Sequence, residues 1–346
     1  MKLRQICLAL TLCSTLPFAS SAFAADGDAS KLQNKTAKSP FLSQSDCFAG
    51  AADYDSWLKT LPSERYGQPL PTELVQKMIP PRFFEFAQAS IDCKLVSYKN
   101  DGAIIYGYVV SPKTTATGKS PILIYNRGGN TTMGAIDSIS LFRNVFPLVK
   151  AGYTVIASQY RGGTEGDPKK LGRDEFGGRD VGDVTKLLDL SLKLPEVDAD
   201  NVFMLGVSRG GMMNYLVAKK RPNIRAMATM AGPTDLAAGL KWRPEMENVY
   251  KELIPNYENN KQAALESRSA LRWAEQLPTD LPVLIVHGDA DDRVNVEDSR
   301  AMALRLQELG RTHKLVIYPG DGHEMMNNRK DAYGEIFAWF DLYRKH

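Results

Sequence analysis

Short apolar runs alternate with segments of helical periodicity from about residue 94 to the end of the chain. The runs "PILIYN" (121–126), "YTVIASQ" (153–159) and "VFMLGV" (202–207) have the length of strands and are almost entirely apolar. The segment 181–194 lies between two such runs and repeats its apolar residues at helical spacing. Continuous apolar strands of this kind are typical of parallel sheets that helices cover on both faces. The alternation therefore predicts an α/β fold with a mainly parallel, doubly wound sheet.

The residues before this alternation predict a hairpin and two less regular regions. The stretch "CKLVSYKNDGAIIYGYVVSP" (93–112) favours two antiparallel strands around an Asn-Asp-Gly turn. Residues 46–93 mix aromatic residues with prolines, which predicts short helices packed on the core. Residues 25–45 are polar and aperiodic, which predicts a flexible leader. The main α/β domain is expected over residues 94–346.

The first 24 residues have the pattern of a secretory signal peptide. A basic start, "MKLR", precedes an apolar stretch and a small-residue segment that ends in Ala22-Phe23-Ala24. The alternative is a membrane anchor, but the apolar stretch is shorter than the ~20 residues that a bilayer span needs. We expect cleavage near Ala24 and export of the mature protein to a periplasm or out of the cell, without stable membrane insertion.

Charge excludes some classes of partner. The formal net charge is +3, and loss of Lys2 and Arg4 with the signal peptide lowers it to +1. A near-neutral protein offers no electrostatic basis for binding nucleic acid or anionic membranes. We therefore expect a small-molecule or short-peptide ligand, and the sequence carries no signal for an oligomeric state.

Two of the four cysteines remain after signal cleavage. Cys47 and Cys93 would lie in an oxidising compartment, where lone cysteines tend to pair. This predicts a disulfide that ties the N-terminal segment to the first strand of the hairpin, with two buried free thiols as the alternative. Two cysteines and four histidines do not make a metal-site pattern, and we expect no metal or other cofactor.

The stretch "GVSRGG" (206–211) lies where a predicted strand meets a predicted helix. The pattern G-x-S-x-G at such a junction is typical of a nucleophile elbow, a tight turn that exposes a serine above the sheet. Gly206 and Gly210 would let neighbouring backbone approach, and the helix N-terminus would favour negative charge near Ser208. The alternative is a glycine-rich turn with a capping serine.

A serine nucleophile needs a general base, and position favours His323. Among the four histidines, His323 follows a predicted strand at the carboxyl edge of the sheet, where functional side chains of such sheets gather. His346 is the last residue, and His313 begins a strand at the opposite edge. His287 ends a strand and is interpreted as a buried supporting group.

The base needs a carboxylate to orient it, and three aspartates follow the strand 283–288. Asp291 is preferred, Asp292 is the next candidate and Asp289 is the least favoured, although spacing separates the three poorly. The order Ser208, Asp291, His323 along the chain is the order of the α/β-hydrolases.

The reaction also needs donors for a developing oxyanion. The backbone N–H of Arg209 follows the nucleophile, and the loop after "PILIYN" offers a second donor in Gly128 or Gly129. Tyr160 follows another strand at the same edge and is a candidate for substrate contact.

From about residue 94 onward, the chain resembles the catalytic domain of the prolyl oligopeptidase family, which has the α/β-hydrolase fold. Four segments carry the resemblance: "SQYRGGTEGDP" with the following "FGGRDVGDV", then "GVSRGG", "PVLIVHGDADDRV" and "YPGDGH". The resemblance assigns the role of triad acid to Asp291 rather than Asp292. It also implies that Arg293 binds a substrate carbonyl, as the matching residue does in some members, with an ion pair to Asp292 as the alternative.

The chain departs from the family pattern in two places. A loop that often reads H-G-G-P is here Arg127-Gly128-Gly129-Asn130, so that Arg127 is expected to present a cation to the substrate pocket. The peptidases of the family carry a β-propeller before the hydrolase domain, and residues 25–93 are too few for one. Residues 46–90 and 235–280 are expected to cover part of the site. Trp242, Trp273 and Tyr257 are candidate pocket walls, although packing in the core is the favoured interpretation.

Together these features predict an exported serine hydrolase that cleaves an ester or a short peptide through an acyl-enzyme. The expectation is a prolyl oligopeptidase-like peptidase. The main alternative is a carboxylesterase acting on small acyl esters. A catalytically idle binding protein on a hydrolase scaffold is a further alternative, and it would be expected to lack a triad residue.

Overall fold

Antiparallel strands form one end of the central sheet, and parallel strands form the rest. The computed structural model describes residues 39–65, 67–115 and 118–346. The strands are β1 (Ser43–Asp46), β2 (Glu64–Arg65), β3 (Gln68–Pro69), β4 (Ile91–Asn100), β5 (Ala103–Pro112), β6 (Ser120–Asn126), β7 (Thr154–Ser158), β8 (Val197–Val207), β9 (Ala226–Met230), β10 (Val283–Gly288) and β11 (His313–Tyr318). Nine of them form one sheet in the order β1-β4-β5-β7-β6-β8-β9-β10-β11, and β2 and β3 form a separate short hairpin.

The direction of the strands matches the prediction. The six strands from β6 to β11 run parallel to their neighbours in this group. The strands β1, β4 and β5 pair antiparallel, and β5 joins β7 antiparallel. The expected mainly parallel sheet with an N-terminal hairpin, the α/β-hydrolase architecture, is confirmed.

Helices cover both faces of the sheet. They are α1 (Tyr54–Thr60), α2 (Thr72–Met78), α3 (Pro81–Ser90), α4 (Ser138–Ser140), α5 (Phe146–Lys150), α6 (Pro168–Leu171), α7 (Asp180–Ser191), α8 (Arg209–Ala218), α9 (Leu236–Trp242), α10 (Met246–Leu253), α11 (Tyr257–Glu266), α12 (Val296–Glu308) and α13 (Arg329–Leu342). A π-helical turn at Leu141–Val145 precedes α5, and 3₁₀ turns occupy Ala270–Arg272 and Ala274–Gln276. In the part of the chain that the structure describes, no helix has the length and hydrophobicity needed to cross a bilayer.

Side chains of β6 show why its sequence is continuously apolar. Ile122 and Ile124 pack into a core cluster with residues of α7 and α8. Leu123 and Tyr125 point to the other face and pack with residues of α5 and α13. Successive strand residues alternate between faces, so a strand buried on both faces needs an apolar residue at every position.

The N-terminal segment packs against this body through a third apolar cluster. Trp57 of α1 and Phe84 of α3 are buried in it. A disulfide joins Cys47 to Cys93, with 5.4 Å between their Cα atoms. The predicted flexible leader over 25–45 is wrong at its end, because residues 43–45 belong to β1 and pair with β4. The predicted signal peptide and the rest of the leader lie outside the described residues.

The parallel strands bring their carboxyl ends to one edge of the sheet. The loops after β6, β8, β10 and β11 therefore lie at the same edge, which is where open α/β sheets place their ligands. The loops after β6, β8 and β11, together with residues that follow β10, line one cavity at this edge.

Candidate active site

The backbone at Ser208 turns sharply between β8 and α8. Its φ of 56° and ψ of −128° lie outside the regions that residues other than glycine commonly adopt. A Cβ atom on Gly206 would lie 2.0 Å from the carbonyl oxygen of Gly210, and one on Gly210 would lie 1.9 Å from that of Asn126. Only glycine fits these two positions, so the surrounding backbone closes in and holds the serine in its strained turn.

A short hydrogen bond joins Asp291, which follows β10, to His323, which follows β11. The imidazole Nδ1 lies 2.7 Å from Oδ2 of the carboxylate. Because Nδ1 donates to Asp291, Nε2 of the neutral imidazole has no proton and can act as a base. His323 and Ser208 line the same cavity. Among the described residues no hydrogen bond links Ser208 Oγ to His323, a contact that in resting enzymes often tightens only when substrate binds.

The Asp291 carboxylate accepts four hydrogen bonds. His323 and His287 donate to Oδ2, the latter from Nε2 at 3.0 Å, and the N–H groups of Arg293 and Val294 donate to Oδ1 at 2.8 and 3.0 Å. Burial alone raises the pKa of Asp291, but the bonds from the two histidines and the charge of His323 outweigh burial and hold the pKa well below its usual range. Asp291 is therefore ionised at neutral pH and suited to stabilise an imidazolium.

His287 is a buried supporting residue, as its position in the sequence suggested. Its Nε2 faces two acceptors, Asp291 Oδ2 and the carbonyl oxygen of Val294 at 3.1 Å, so Nε2 carries the proton. Its Nδ1 lies 2.7 Å from Ser299 Oγ on α12. This chain of contacts connects α12 to Asp291.

The other two aspartates after β10 are exposed and lie outside this network. Asp289 accepts a hydrogen bond from the backbone N–H of Gly320 at 2.7 Å, and Asp292 faces solvent. Arg293 lines the cavity but forms its ion pair, at 3.6 Å, with Glu324. The alternative pairing of Arg293 with Asp292 is therefore not found.

Two backbone amides near Ser208 are available to a ligand. A Cβ atom on Gly128 would lie 3.1 Å from Ser208 Cβ, which shows how closely the loop after β6 approaches the serine. Gly129 lines the cavity and has a φ of 70°. Within the described residues, nothing accepts a hydrogen bond from the N–H of Gly129 or Arg209.

The expectation that Arg127 presents a cation to the pocket is wrong. Its side chain is 1% exposed, and its guanidinium donates to four carbonyl oxygens: Gln159 at 2.7 Å, Thr131 at 2.7 Å, Gly128 at 3.0 Å and Met133 at 3.2 Å. These acceptors lie in or beside the loop after β6. Arg127 therefore stabilises the shape of this loop from inside.

Tyr160 does not contact the cavity either, contrary to the prediction. It is buried, and its hydroxyl donates to the carbonyl oxygen of Arg127 at 3.1 Å. Two guanidinium groups lie over its ring. The ring centroid is 4.9 Å from Cζ of Arg127 and 5.1 Å from Cζ of Arg209. Such cation–π contacts are favourable when desolvated.

The side chain of Arg209 forms a buried ion cluster that sequence reasoning missed. Both of its terminal nitrogens lie 2.6 Å from the carboxylate of Asp174, and one lies 2.5 Å from Asp180. Asp174 also accepts the backbone N–H of Thr131 at 2.7 Å, and Arg209 donates to the carbonyl oxygen of Gly129 at 3.1 Å. Burial raises the pKa of Asp174, but the charge and hydrogen bonds of Arg209 outweigh burial and lower it overall. The cluster thereby links the nucleophile turn to the loop after β6.

The cavity beside Ser208 has a volume of about 400 Å³. Its apolar walls come largely from the segment that precedes β10: Leu236, Trp242, Met246 and Tyr250, together with Phe176. Trp242 is thus a wall residue, whereas Trp273 and Tyr257 pack in the core. Within the described ranges, no group of acidic, histidine and cysteine side chains is arranged to hold a metal ion.

Comparison with known families places the chain in one of them. The sequence pattern that defines the prolyl oligopeptidase family matches residues 139–346. The chain belongs to the prolyl oligopeptidase family. The resemblance seen in the sequence is thereby confirmed.

Several relatives of this prolyl oligopeptidase family member are larger proteins. It is 26% identical over 299 residues to the uncharacterized peptidase YuxL of Bacillus subtilis, a match that covers 81% of this chain and 43% of YuxL. A structure of a puromycin-hydrolyzing peptidase of Mycobacterium tuberculosis has a TM-score of 0.62 at 20% identity, covering 72% of this chain and 39% of that one. The acylaminoacyl peptidase of Pyrococcus horikoshii has a TM-score of 0.62 at 17% identity, covering 81% and 45%. The matched part of the chain covers less than half of each of these proteins, and the two structures show the shared fold.

Replacing Arg209 by methionine is expected to destabilise the fold strongly. Arg209→Met leaves the carboxylates of Asp174 and Asp180 buried without their cation, so the free energy of unfolding should fall by about 3–5 kcal/mol in urea titrations. Arg293→Met is the matched control, because its exposed ion pair is worth less than about 1 kcal/mol. Equal losses in the two variants would contradict the role given to the cluster.

Replacing Asp291 by asparagine is expected to have a pH-dependent effect on stability. The folded-state pKa of Asp291 is depressed, so its ionised form stabilises the fold above the usual pKa of about 4, and this contribution is lost as the pH falls. Asp291→Asn should lower the free energy of unfolding by about 2–3 kcal/mol at pH 7, and the difference should shrink between pH 5 and 3. Asp292→Asn, at the exposed neighbouring position, should change it by less than about 0.5 kcal/mol at either pH. A difference for Asp291→Asn that is independent of pH would refute this account.

Proposed function

We propose that this protein is an exported serine hydrolase that cleaves a peptide bond through an acyl-enzyme on Ser208, His323 and Asp291. The observation that carries the proposal is the 2.7 Å bond between Asp291 and His323, beside a cavity that His323 shares with a strained, glycine-flanked serine. Membership in the prolyl oligopeptidase family and the peptidase names of its relatives support the choice of substrate class.

In the proposed reaction, Ser208 Oγ attacks the substrate carbonyl while His323 Nε2 takes its proton. Asp291 holds the imidazole in the required tautomer and stabilises its positive charge. The N–H of Arg209, with that of Gly128 or Gly129, stabilises the oxyanion, and each such donor typically lowers the barrier by ~3 kcal/mol. His323 then protonates the leaving amine, and a water molecule that His323 activates releases the acyl group.

The same groups would also cleave an ester, and small acyl esters are the second candidate substrates. The observation that favours them is the cavity of about 400 Å³ with largely apolar walls, a size suited to a small ligand. Rates with p-nitrophenyl acetate and with Ala-Ala and Gly-Pro 4-nitroanilides separate the two. Cleavage of the ester with no cleavage of either anilide would favour a carboxylesterase.

Loss of the nucleophile should abolish activity without loss of the fold. Ser208→Ala should lower turnover of a cleaved substrate by about 10⁶-fold, because the acyl-enzyme no longer forms. It should also prevent labelling by a fluorophosphonate probe, while the circular dichroism spectrum stays that of the wild type. A folded Ser208→Ala variant with near wild-type turnover would exclude the proposed nucleophile, and a wild-type protein that takes no label would favour the idle binding protein.

Export is part of the proposal and rests on the N-terminal sequence. The basic start, the apolar stretch and Ala22-Phe23-Ala24 are features that signal peptidases recognise. Expression of the full chain in a Gram-negative host should yield a periplasmic or secreted protein whose N-terminal sequence begins near Ala25. Recovery of a cytoplasmic protein that retains residues 1–24 would contradict export.

A further inference from the structure

The cavity beside Ser208 has one carboxylate among the described residues that line it, that of Asp298. Asp298 lies in the first turn of α12 and is 7% exposed. The reaction proposed above does not use this group. A buried carboxylate is costly unless it is paired.

Only one oxygen of this carboxylate is satisfied. Oδ2 accepts the backbone N–H of Thr234 at 2.8 Å and that of Asp235 at 3.3 Å, and Thr234 Oγ1 donates to the Asp298 carbonyl oxygen at 2.8 Å. Within the described residues, no donor reaches Oδ1 and no cationic side chain forms an ion pair with Asp298. Burial raises the pKa of Asp298, as expected for a carboxylate that lacks a cationic partner. The side chain is therefore held in place with one acceptor oxygen unused.

The arginines with exposed guanidinium groups that line the cavity are already paired. Arg243 lies 2.9 Å from Glu245, and Arg293 lies 3.6 Å from Glu324. All four side chains are partly exposed, so these pairs form where the cavity meets solvent. Asp298 is thus the acidic group of the cavity wall that has no cationic partner among the described residues.

The cavity also has room for a long side chain. Gly239 of α9 lines it, and a Cβ atom placed on Gly239 would meet no atom within 4 Å. Leu236 of α9 and Val294, just before α12, add apolar side chains to the cavity wall. Apolar walls that include a buried carboxylate suit an aliphatic stem with a cationic tip, the shape of lysine and arginine side chains.

We propose that Asp298 selects substrates whose acyl part carries a lysine or arginine side chain. The cationic tip would pair with the free Oδ1, and the stem would lie along Leu236 and the open space at Gly239. This inference rests on the proposed serine-hydrolase function, since the acyl part is the one that stays attached to Ser208 beside the cavity.

The test compares two esters that differ by one charged group. Nα-blocked lysine and norleucine p-nitrophenyl esters have stems of equal length, and only the lysine ester has an ammonium group. The wild-type protein should hydrolyse the lysine ester with a kcat/KM about 10- to 100-fold higher, the range expected for a hydrogen-bonded charge. Asp298→Asn keeps an oxygen for the N–H groups of Thr234 and Asp235 and should lower the lysine-to-norleucine ratio by the same factor.

Glu297→Gln is the matched control, because it removes the same charge from an exposed neighbouring position on α12. It should leave the lysine-to-norleucine ratio unchanged. If Asp298→Asn does not fold, the wild-type ratio still decides, together with competitive inhibition by n-butylammonium against n-butanol. A wild-type ratio near or below one, or equal ratios in the two variants, would overturn the inference while ester hydrolysis upheld the proposed function. Hydrolysis of neither ester, with no fluorophosphonate labelling, would overturn both.

Discussion

The buried ion pair between Arg209 and Asp174 is the interaction on which the geometry of this site depends. Arg209 begins the helix after Ser208, and Asp174 accepts a hydrogen bond from the backbone N–H of Thr131 in the loop after β6. The pair therefore couples Ser208 to the loop that carries the proposed second amide donor. Separating these two buried charges would be costly, because each would be left unpaired in a low-dielectric interior. Donors fixed before substrate arrives stabilise an oxyanion without reorganisation.

The proposed acid and base are held in a comparable way. Asp291 receives hydrogen bonds from two histidines and two backbone amides, and His287 extends the network to Ser299 on α12. The helix that supports Asp291, the proposed triad acid, also carries Asp298 in its first turn. The orientation of His323 and the presence of a carboxylate in the cavity wall thus both depend on where α12 lies.

Much of the fold and the proposed triad could be predicted from the sequence, because both follow from local patterns. A strand buried on both faces must be apolar throughout, and Asp291 follows such a strand, β10. His323 follows β11, a partly exposed strand at the edge of the sheet. The strand β1 escaped prediction because its four residues are exposed and polar, and only backbone pairing with β4 makes them a strand. Arg127 was misplaced because its partners are backbone carbonyls, which every residue has and no sequence pattern marks.

The sequence by itself determined the order of the main strands and helices, the proposed type of chemistry, and which residues lie at the carboxyl edge of the sheet. Tertiary structure alone decided which charges are neutralised. Arg209 meets Asp174 across 35 residues and Asp298 meets Thr234 across 64, whereas Arg127 is enclosed by carbonyl oxygens. The physical reason is that periodicity and turn chemistry act between near neighbours, while the pairing of a buried charge depends on distances that exist only after distant segments have packed.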